Sequence, residues 1–393
     1  MMLSQKIIFV FFVFYIIMVY LLGEWITISF FDEAFAMMFL TLMIMQKKNK
    51  EFIYFLLITA GYLFYSHFFS ENPNRIAQYM DCIQIAKPFL FFYFFYRNPL
   101  IFSKSQKKIL RSSCIVASLL LFISYYNYGL YDGLIKHPFT LGISAFCFAI
   151  LYYYLGEGLK KDINIILLIL LIGLLSLRTK YILEFLLFIV AIFFVNKKIK
   201  INFKYILLSL ATLGIGWFFA ISKFRFYFVY ADEAARFLLY KTMPLILMDY
   251  LPFGSGYASF ATSASGVFYS PLYYKYGISS GYGMSPTNYS YISDTFFPVL
   301  AEFGIVGIVL FILFWKKRFA EFSASNDNIR NYRISLLIVS MVAIESVAGP
   351  VFVMSYNFIP MAVLGSICSR IYLENTNAKN VIFPEKSVDA FTK

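Results

Sequence analysis

Apolar runs long enough to cross a membrane recur along the chain, and they constrain the fold more than any other feature. A membrane-spanning helix needs about 20 largely apolar residues, so the runs predict an all-α integral membrane protein with about twelve transmembrane helices. Since 61% of the 393 residues are hydrophobic and only 14% are charged, a soluble domain of this size would expose large apolar patches. The predicted spans are 7–22, 30–45, 52–69, 76–96, 109–126, 139–155, 163–177, 181–195, 203–221, 295–314, 334–348 and 357–372.

The basic residues between these runs predict the orientation of the chain. They cluster on alternate sides of the predicted spans, and the positive-inside rule assigns that side to the cytoplasm. Both termini are then expected to be cytoplasmic. The net charge of +13 is explained in this way, and with no basic domain or stacking platform in the sequence we expect no binding of nucleic acid. The clusters are Lys47, Lys48 and Lys50; Lys104, Lys107, Lys108 and Arg111; Lys160 and Lys161; Lys197, Lys198, Lys200 and Lys204; and Lys316, Lys317 and Arg318.

One predicted external segment is large, and it divides the chain. Residues 222–293 separate a first set of helices, 1–221, from a second set, 294–372, which is followed by a polar cytoplasmic tail, 373–393. The segment is too long for a simple hairpin connection, and long loops on rigid scaffolds usually carry function. It begins with a helix-like stretch, and turn residues follow at Pro252, Gly254 and Gly256.

Two cations occupy the short turn between the seventh and eighth predicted spans, on the side where positive charge is disfavoured. Arg178 and Lys180 are candidates for binding an anion at the membrane surface, because the planar fork of an arginine matches phosphate oxygens. The alternatives are pairing with lipid headgroups, or pairing of Lys180 with Glu184 one helical turn later.

A second group of cations follows the ninth predicted span. Lys223, Arg225 and Arg236 are expected on the same external side as Arg178, so the two groups together are suited to a diphosphate. Ordinary local ion pairs with Asp232 and Glu233 would also explain these arginines.

Few external side chains can transfer a proton. His137 is a candidate because histidine is a common general base, but a single histidine in a loop is more often incidental. Asp294 precedes a predicted helix, where capping of the helix N-terminus would by itself explain a carboxylate. The other external carboxylates are Asp232, Glu233 and Asp249.

Ionisable residues within the predicted spans need a partner or a cavity, because burying a charge in hydrocarbon is costly. They are suited to a substrate cavity, to pairs between helices or to a proton relay, and the sequence does not separate these roles. These residues are Asp81, Lys87, Glu184, Glu302 and Glu345. No metal-binding or cofactor motif is found, and the four cysteines have no metal-site spacing.

The chain resembles the superfamily of O-antigen polymerases (Wzy) and O-antigen ligases. The likeness is carried by three segments, in order: Ser176-Leu-Arg178-Thr179; Arg236 with Pro252-Phe-Gly254-Ser-Gly256-Tyr-Ala-Ser-Phe260; and Asp294 with Leu300-Ala-Glu302-Phe-Gly304-Ile-Val-Gly307. It covers roughly residues 163–318 by motif and the remainder by hydropathy.

This resemblance implies an enzyme of the bacterial inner membrane that works at the periplasmic face of the membrane without a metal or cofactor. A donor glycan on undecaprenyl diphosphate would be attacked, with inversion, by a hydroxyl of a lipid-linked acceptor. Arg178 and Arg236 would hold the diphosphate, Asp294 would be the base, and Lys180, Arg225, His137, Gly254 and Gly256 would contact substrate. A chain-length regulator and a flippase would be partners.

The resemblance also leaves rivals open. Ligases carry a His-Asn pair where this chain has Ser293 and Asp294, so a polymerase is favoured over a ligase that transfers glycan to lipid A core. A flippase or secondary transporter is the rival from another class, because buried charges such as Asp81 and Lys87 are natural in transporters.

Overall fold

The computed structural model describes residues 5–22, 31–46, 49–195, 214, 221, 234–324 and 329–382. Within this part of the chain the regular elements are helices and no β-strand occurs. The prediction of an all-α fold is therefore confirmed.

The helices follow the predicted apolar runs to within a few residues at most boundaries. The ninth predicted span, 203–221, lies outside the described residues apart from two isolated positions. The main helices are α1 (Gln5–Ile16, continued by a π-helix, Ile17–Leu21), α2 (Phe31–Ile44), α3 (Lys50–Phe69), α4 (Arg75–Arg97), α5 (Lys104–Tyr126), α6 (Pro138–Leu155), α7 (Leu159–Leu174), α8 (Thr179–Phe193), α9 (Ala235–Asp249), α10 (Gly304–Ala324, preceded by a 3-10 helix, Phe297–Phe303), α11 (Ile329–Val347) and α12 (Phe358–Ile382).

Among the described residues, four helices are long and apolar enough to cross a membrane: α3, α5, α6 and the continuous segment Phe297–Ala324. They differ in their surroundings. The apolar window of α3 is only 17% buried in protein, whereas that of α6 is 89% buried. A membrane helix that is hydrophobic on every side can be covered either by lipid or by other helices. Because other helices cover most of α6 and little of α3, α6 lies at the centre of the bundle and α3 at its edge.

Polar residues at the helix starts explain where several of these helices begin. The side chain of Asn49 accepts a hydrogen bond from the first turn of α3, and Asn74 does the same for α4. Ser103 and Gln106 form a reciprocal capping box at the start of α5. Each cap pairs backbone N–H groups that have no acceptor within the helix.

Aromatic packing holds the centre of the bundle together. Helices α4 and α12 lie against each other, and Gly365 makes this possible because a Cβ there would collide with the carbonyl of Phe92. The rings of Phe39 and Phe94 stack at 4.0 Å, and Phe358 packs face to face on Tyr15 at 3.8 Å. The abundant aromatic residues therefore fill the core as well as the bundle surface.

Ion pairs gather at one end of the bundle, here called the basic end. Arg318 at the end of α10 pairs with Glu51 at the start of α3 at 2.8 Å. Arg111 of α5 pairs with Asp162 of α7, and Arg330 of α11 donates to the carbonyl of Gly156 after α6. The opposite end carries residues 250–296 and is here called the loop end.

One charged group lies deep among the helices. Lys87 of α4 is 2% exposed and pairs with Asp32 and with Glu33, at 3.1 Å, in the first turn of α2. The hydroxyl of Ser355 donates to Asp32 at 2.7 Å. Lys87 thus pairs between helices, which is one of the roles expected for charges within the spans.

Candidate functional site

Arg236 and Asp294 form an ion pair at the loop end, with Nη2 and Oδ2 2.6 Å apart. Arg236 lies in the first turn of α9, and Asp294 lies just before the 3-10 helix Phe297–Phe303. The two side chains are partly exposed, at 22% and 29%. The pair therefore joins two of the three segments that carry the family resemblance and remains open to solvent.

The charges that act on Asp294 include the cations of the α7–α8 turn. Burial raises the pKa of Asp294, while the positive charges of Arg236, Lys180 and Arg178 act in the opposite direction. The α7–α8 turn and the start of α9 thus both act on the carboxylate at the end of the loop. Arg236 contacts it directly, and Lys180 and Arg178 act on it through their charge.

The structure corrects the expectation that Asp294 caps a helix. The 3-10 helix begins at Phe297, its N-cap is Phe296, and no side chain caps it. Asp294 is two residues too early, and its carboxylate is directed at Arg236 instead. Local sequence rules predict caps, but here an ion pair across 58 residues of chain, from 236 to 294, decides the side chain's position.

Arg178 is presented by a tight turn after α7. Leu177 before it adopts a left-handed conformation with φ of 48°, which is uncommon for a leucine. The backbone N–H of Arg178 donates to the hydroxyl of Ser176 at 3.4 Å. The ring of Tyr181 packs against Gly173, where a Cβ would collide with the tyrosine hydroxyl. Packing and a strained turn thus hold Arg178 at the bundle surface.

Among the described residues, the Arg178 side chain makes no salt bridge within 4.0 Å. It lies near Tyr131. Burial raises the pKa of Tyr131, and the positive charge of Arg178 opposes this shift without reversing it. A guanidinium offers five N–H donors, so Arg178 is well placed to bind an anion.

Lys180 has partners of its own. Its Nζ atom lies 2.5 Å from Oε2 of Glu345 and donates to the carbonyl of Ala348 at 3.0 Å. The ring centroid of Phe139 lies 5.3 Å away, within the distance of a cation–π contact. The local alternative, pairing of Lys180 with Glu184, is replaced by a pair with a helix 165 residues away in sequence.

Two of the proposed bases make no hydrogen bond or salt bridge with the Arg236–Asp294 pair among the described contacts. His137 is exposed and precedes α6 as its N-cap residue, without capping through its side chain. It lies at the loop end, because Phe139 two residues later faces Lys180. Asp249 is at the far end of α9 from Arg236, where the hydroxyl of Tyr276 donates to it at 2.6 Å.

Gly254 and Gly256 allow the loop to pack closely on the helices. Both have φ of +83°, a conformation that favours glycine. A Cβ on Gly254 would collide with the backbone of Ala301 and Gly304, and one on Gly256 would press on Ser70. Packing accounts for both glycines without a bound sugar.

Two buried carboxyl groups hold the segment that follows these glycines. Oε1 of Glu302 accepts backbone N–H groups from Ser259 and Phe260 at 2.8 and 2.7 Å, and Oδ2 of Asp81 accepts from Ala258 at 2.7 Å. The other oxygens of the two carboxyls, Oε2 of Glu302 and Oδ1 of Asp81, are buried and have no hydrogen-bond partner among the described residues. Both residues are 0% exposed. Their role here is to anchor the loop between α4 and the 3-10 helix.

The remaining predicted site residue, Arg225, lies outside the described residues. Within residues 5–22, 31–46, 49–195, 234–324 and 329–382, no cluster of three or more His, Cys, Asp or Glu side chains is arranged to hold a metal ion. The site in this part of the chain is therefore built from arginine, lysine and carboxylate groups.

Two further residues lie near this cluster. In the sequence, Glu345 stands out only as a charge within a predicted span, and Tyr240 carries no signal of a role in the site. Tyr240 lies one helical turn after Arg236, and its hydroxyl donates to the carbonyl of Val347 at 2.7 Å. A charge in an apolar run was the only signal available for Glu345.

Comparison with protein families, with curated proteins and with solved structures found no match to this chain.

Proposed function

We propose that this protein is a glycosyltransferase that joins oligosaccharide repeat units carried on undecaprenyl diphosphate. The observation that carries this proposal is the Arg236–Asp294 ion pair, with Arg178 and Lys180 acting on the same carboxylate. A diphosphate leaving group needs cations beside it, and an attacking sugar hydroxyl needs a proton acceptor. The cluster provides both kinds of group at one end of a helical bundle.

In the proposed reaction, a hydroxyl oxygen of the acceptor glycan forms a bond to the anomeric carbon of the donor. The bond from that carbon to the diphosphate oxygen breaks, and the leaving group takes the electron pair. Arg178 and Arg236 stabilise the charge that develops on the diphosphate. The hydroxyl proton passes to the carboxylate of Asp294, which later releases it to water.

The membrane arrangement of this proposal has about twelve spans, with the loop end in the periplasm of a bacterial inner membrane. The basic end is then cytoplasmic, in agreement with the positive-inside rule. A loop-end site in this orientation is exposed to donors that arrive already activated on a membrane lipid. Metal and cofactor have no role in the proposed reaction.

The test uses a strain that lacks this gene and is complemented with wild type, Arg178→Ala or Arg236→Ala. Lys161→Ala is the matched control, because Lys161 is exposed and pairs only with Glu157, at 3.5 Å among the described contacts. We expect either arginine variant to lose the surface-polysaccharide ladder and to keep a single repeat unit on the final carrier. Membrane levels must be equal among the variants.

Loss of even the single unit would favour a ligase or a flippase. The ligase differs from the polymerase in its acceptor, lipid A core. Normal ladders in both arginine variants would refute the proposed site.

A transporter is the second candidate, and the buried group of Lys87, Asp32 and Glu33 favours it, because charges between helices at this depth are typical of ion-coupled carriers. Under this alternative, Lys87→Met would abolish export of the repeat unit, whereas Arg178→Ala and Arg236→Ala would leave it intact.

A further inference from the structure

The end of α11 contacts every segment of the candidate site. Lys180 of the α7–α8 turn binds Glu345 and the carbonyl of Ala348. The Tyr240 hydroxyl, on α9 one turn after Arg236, donates to the carbonyl of Val347. Residues 345–348 therefore hold two of the cationic segments.

The third contact comes from the segment that carries Asp294. The backbone N–H of Phe296 donates to the carbonyl of Ser346 at 3.2 Å. Four consecutive residues, 345–348, thus hold the α7–α8 turn, α9 and the end of the loop. Carbonyl groups in the last turn of a helix accept no hydrogen bond from within the helix, so they are available for such contacts.

Glu345 is the charged member of this group, and it is almost fully buried. Its side chain is 4% exposed, against 23% for Lys180. Glu184 is 1% exposed, and neither of its carboxyl oxygens has a hydrogen-bond partner among the described residues. The ammonium of Lys180 is therefore the positive partner of the buried Glu345 carboxylate.

The contacts of Lys180 leave little of its ammonium for a substrate. An ammonium has three donors. One is directed to Glu345, one to the carbonyl of Ala348, and the Phe139 ring lies at cation–π distance. Lys180 is thus committed to the protein, in contrast to Arg178.

We propose that Glu345 is a positioning residue of the candidate site and that it acts through Lys180. This inference rests on the proposed function. The Lys180–Glu345 pair fixes the α7–α8 turn to the end of α11, and this places Arg178 opposite Arg236 and Asp294. Lys180 then serves the structure of the site and does not bind the diphosphate.

A double-substitution cycle tests this role. Lys180→Met and Glu345→Gln each leave one buried charge without its partner, and each is expected to lower the turnover rate by about tenfold or more, because small shifts of positioned groups are costly. The double variant lacks the same contact, so its rate is expected to stay within about threefold of the single variants instead of falling by the product of the two losses. Recovery of the wild-type rate in the double variant would mean that an unpaired charge, and not loss of the contact, impaired the single variants, and would contradict the positioning role.

The assay uses purified protein in nanodiscs and the lipid-linked repeat unit extracted from the deletion strain. A positioning role predicts lower kcat in the single variants with little change in the KM for the repeat unit. If Lys180 binds the diphosphate, Lys180→Met will raise the KM while Glu345→Gln leaves both kcat and KM close to wild type, and the inference is then wrong. Thermal unfolding of each variant shows whether it is folded.

Arg236→Ala separates this inference from the proposed function. If Arg236→Ala is inactive while Lys180→Met and Glu345→Gln are fully active, only the positioning role fails. If Arg236→Ala also retains full activity, the proposed function fails.

Discussion

Arg236 and Asp294 meet at 2.6 Å although 58 positions separate them in the sequence, and the guanidinium is the group best suited to bind both the carboxylate and a phosphate. Arg236→Lys keeps the charge but loses the planar fork. We expect this variant to lose activity by about tenfold, which corresponds to about 1.4 kcal/mol in the barrier. Initial rates with extracted lipid-linked repeat unit measure the effect. A rate equal to that of wild type would show that only charge is required.

Asp294 should impose a pH dependence on the reaction. A general base must be ionised, so the rate should fall as the pH is lowered through the pKa of Asp294. Burial raises this pKa, and the loss of rate should therefore begin at a higher pH than for an ordinary aspartate. Rate against pH is the measurement, with thermal unfolding at each pH to exclude denaturation.

Two variants decide whether Asp294 or His137 causes the loss of rate at low pH. Asp294→Asn should be nearly inactive at every pH. His137→Ala should retain wild-type rates, because His137 is exposed and does not cap its helix through its side chain. The reverse result would identify His137 as the base.

Gly254→Ala should prevent normal docking of the loop. The positive φ is unfavourable for alanine, and its Cβ would collide with the backbone near Gly304. We expect a loss of about 2 kcal/mol or more in the free energy of unfolding. Thermal unfolding in detergent tests this, with Gly61→Ala as the control, because a Cβ there meets nothing within 4 Å. Equal stability of the two variants would contradict the packing role.

Glu302 should tolerate an amide but not an alanine. In Glu302→Gln, the side-chain oxygen can still accept from Ser259 and Phe260. The cost should be below about 1 kcal/mol, whereas Glu302→Ala leaves buried N–H groups unpaired and should cost on the order of 3 kcal/mol. Unfolding temperatures of the two variants provide the comparison. A severe loss in Glu302→Gln would mean that the negative charge itself is required.

The helical class and the helix positions could be predicted from the sequence because apolar runs of sufficient length leave the chain few alternatives in a bilayer. The segments of the candidate site could also be named, since Arg178, Arg236 and Asp294 stand at the ends of those runs. Their proximity to one another follows from the topology of the bundle.

The partners of individual side chains could not be predicted in this way. Lys180 has a carboxylate one turn away at Glu184, yet it pairs with Glu345. Asp294 stands where a cap is common, yet it pairs with Arg236. Local rules describe contacts within one helix, whereas these contacts depend on which helices are neighbours, and packing determines that.

The anchoring of the loop has a consequence for engineering. Its backbone is held by Ser66, Asp81 and Glu302, which belong to three different helical segments. A chimera that receives only residues 250–296 from another protein would lack matched acceptors for its buried N–H groups. Loop and helices must therefore diverge together, and exchange of specificity between such proteins would require the transfer of both.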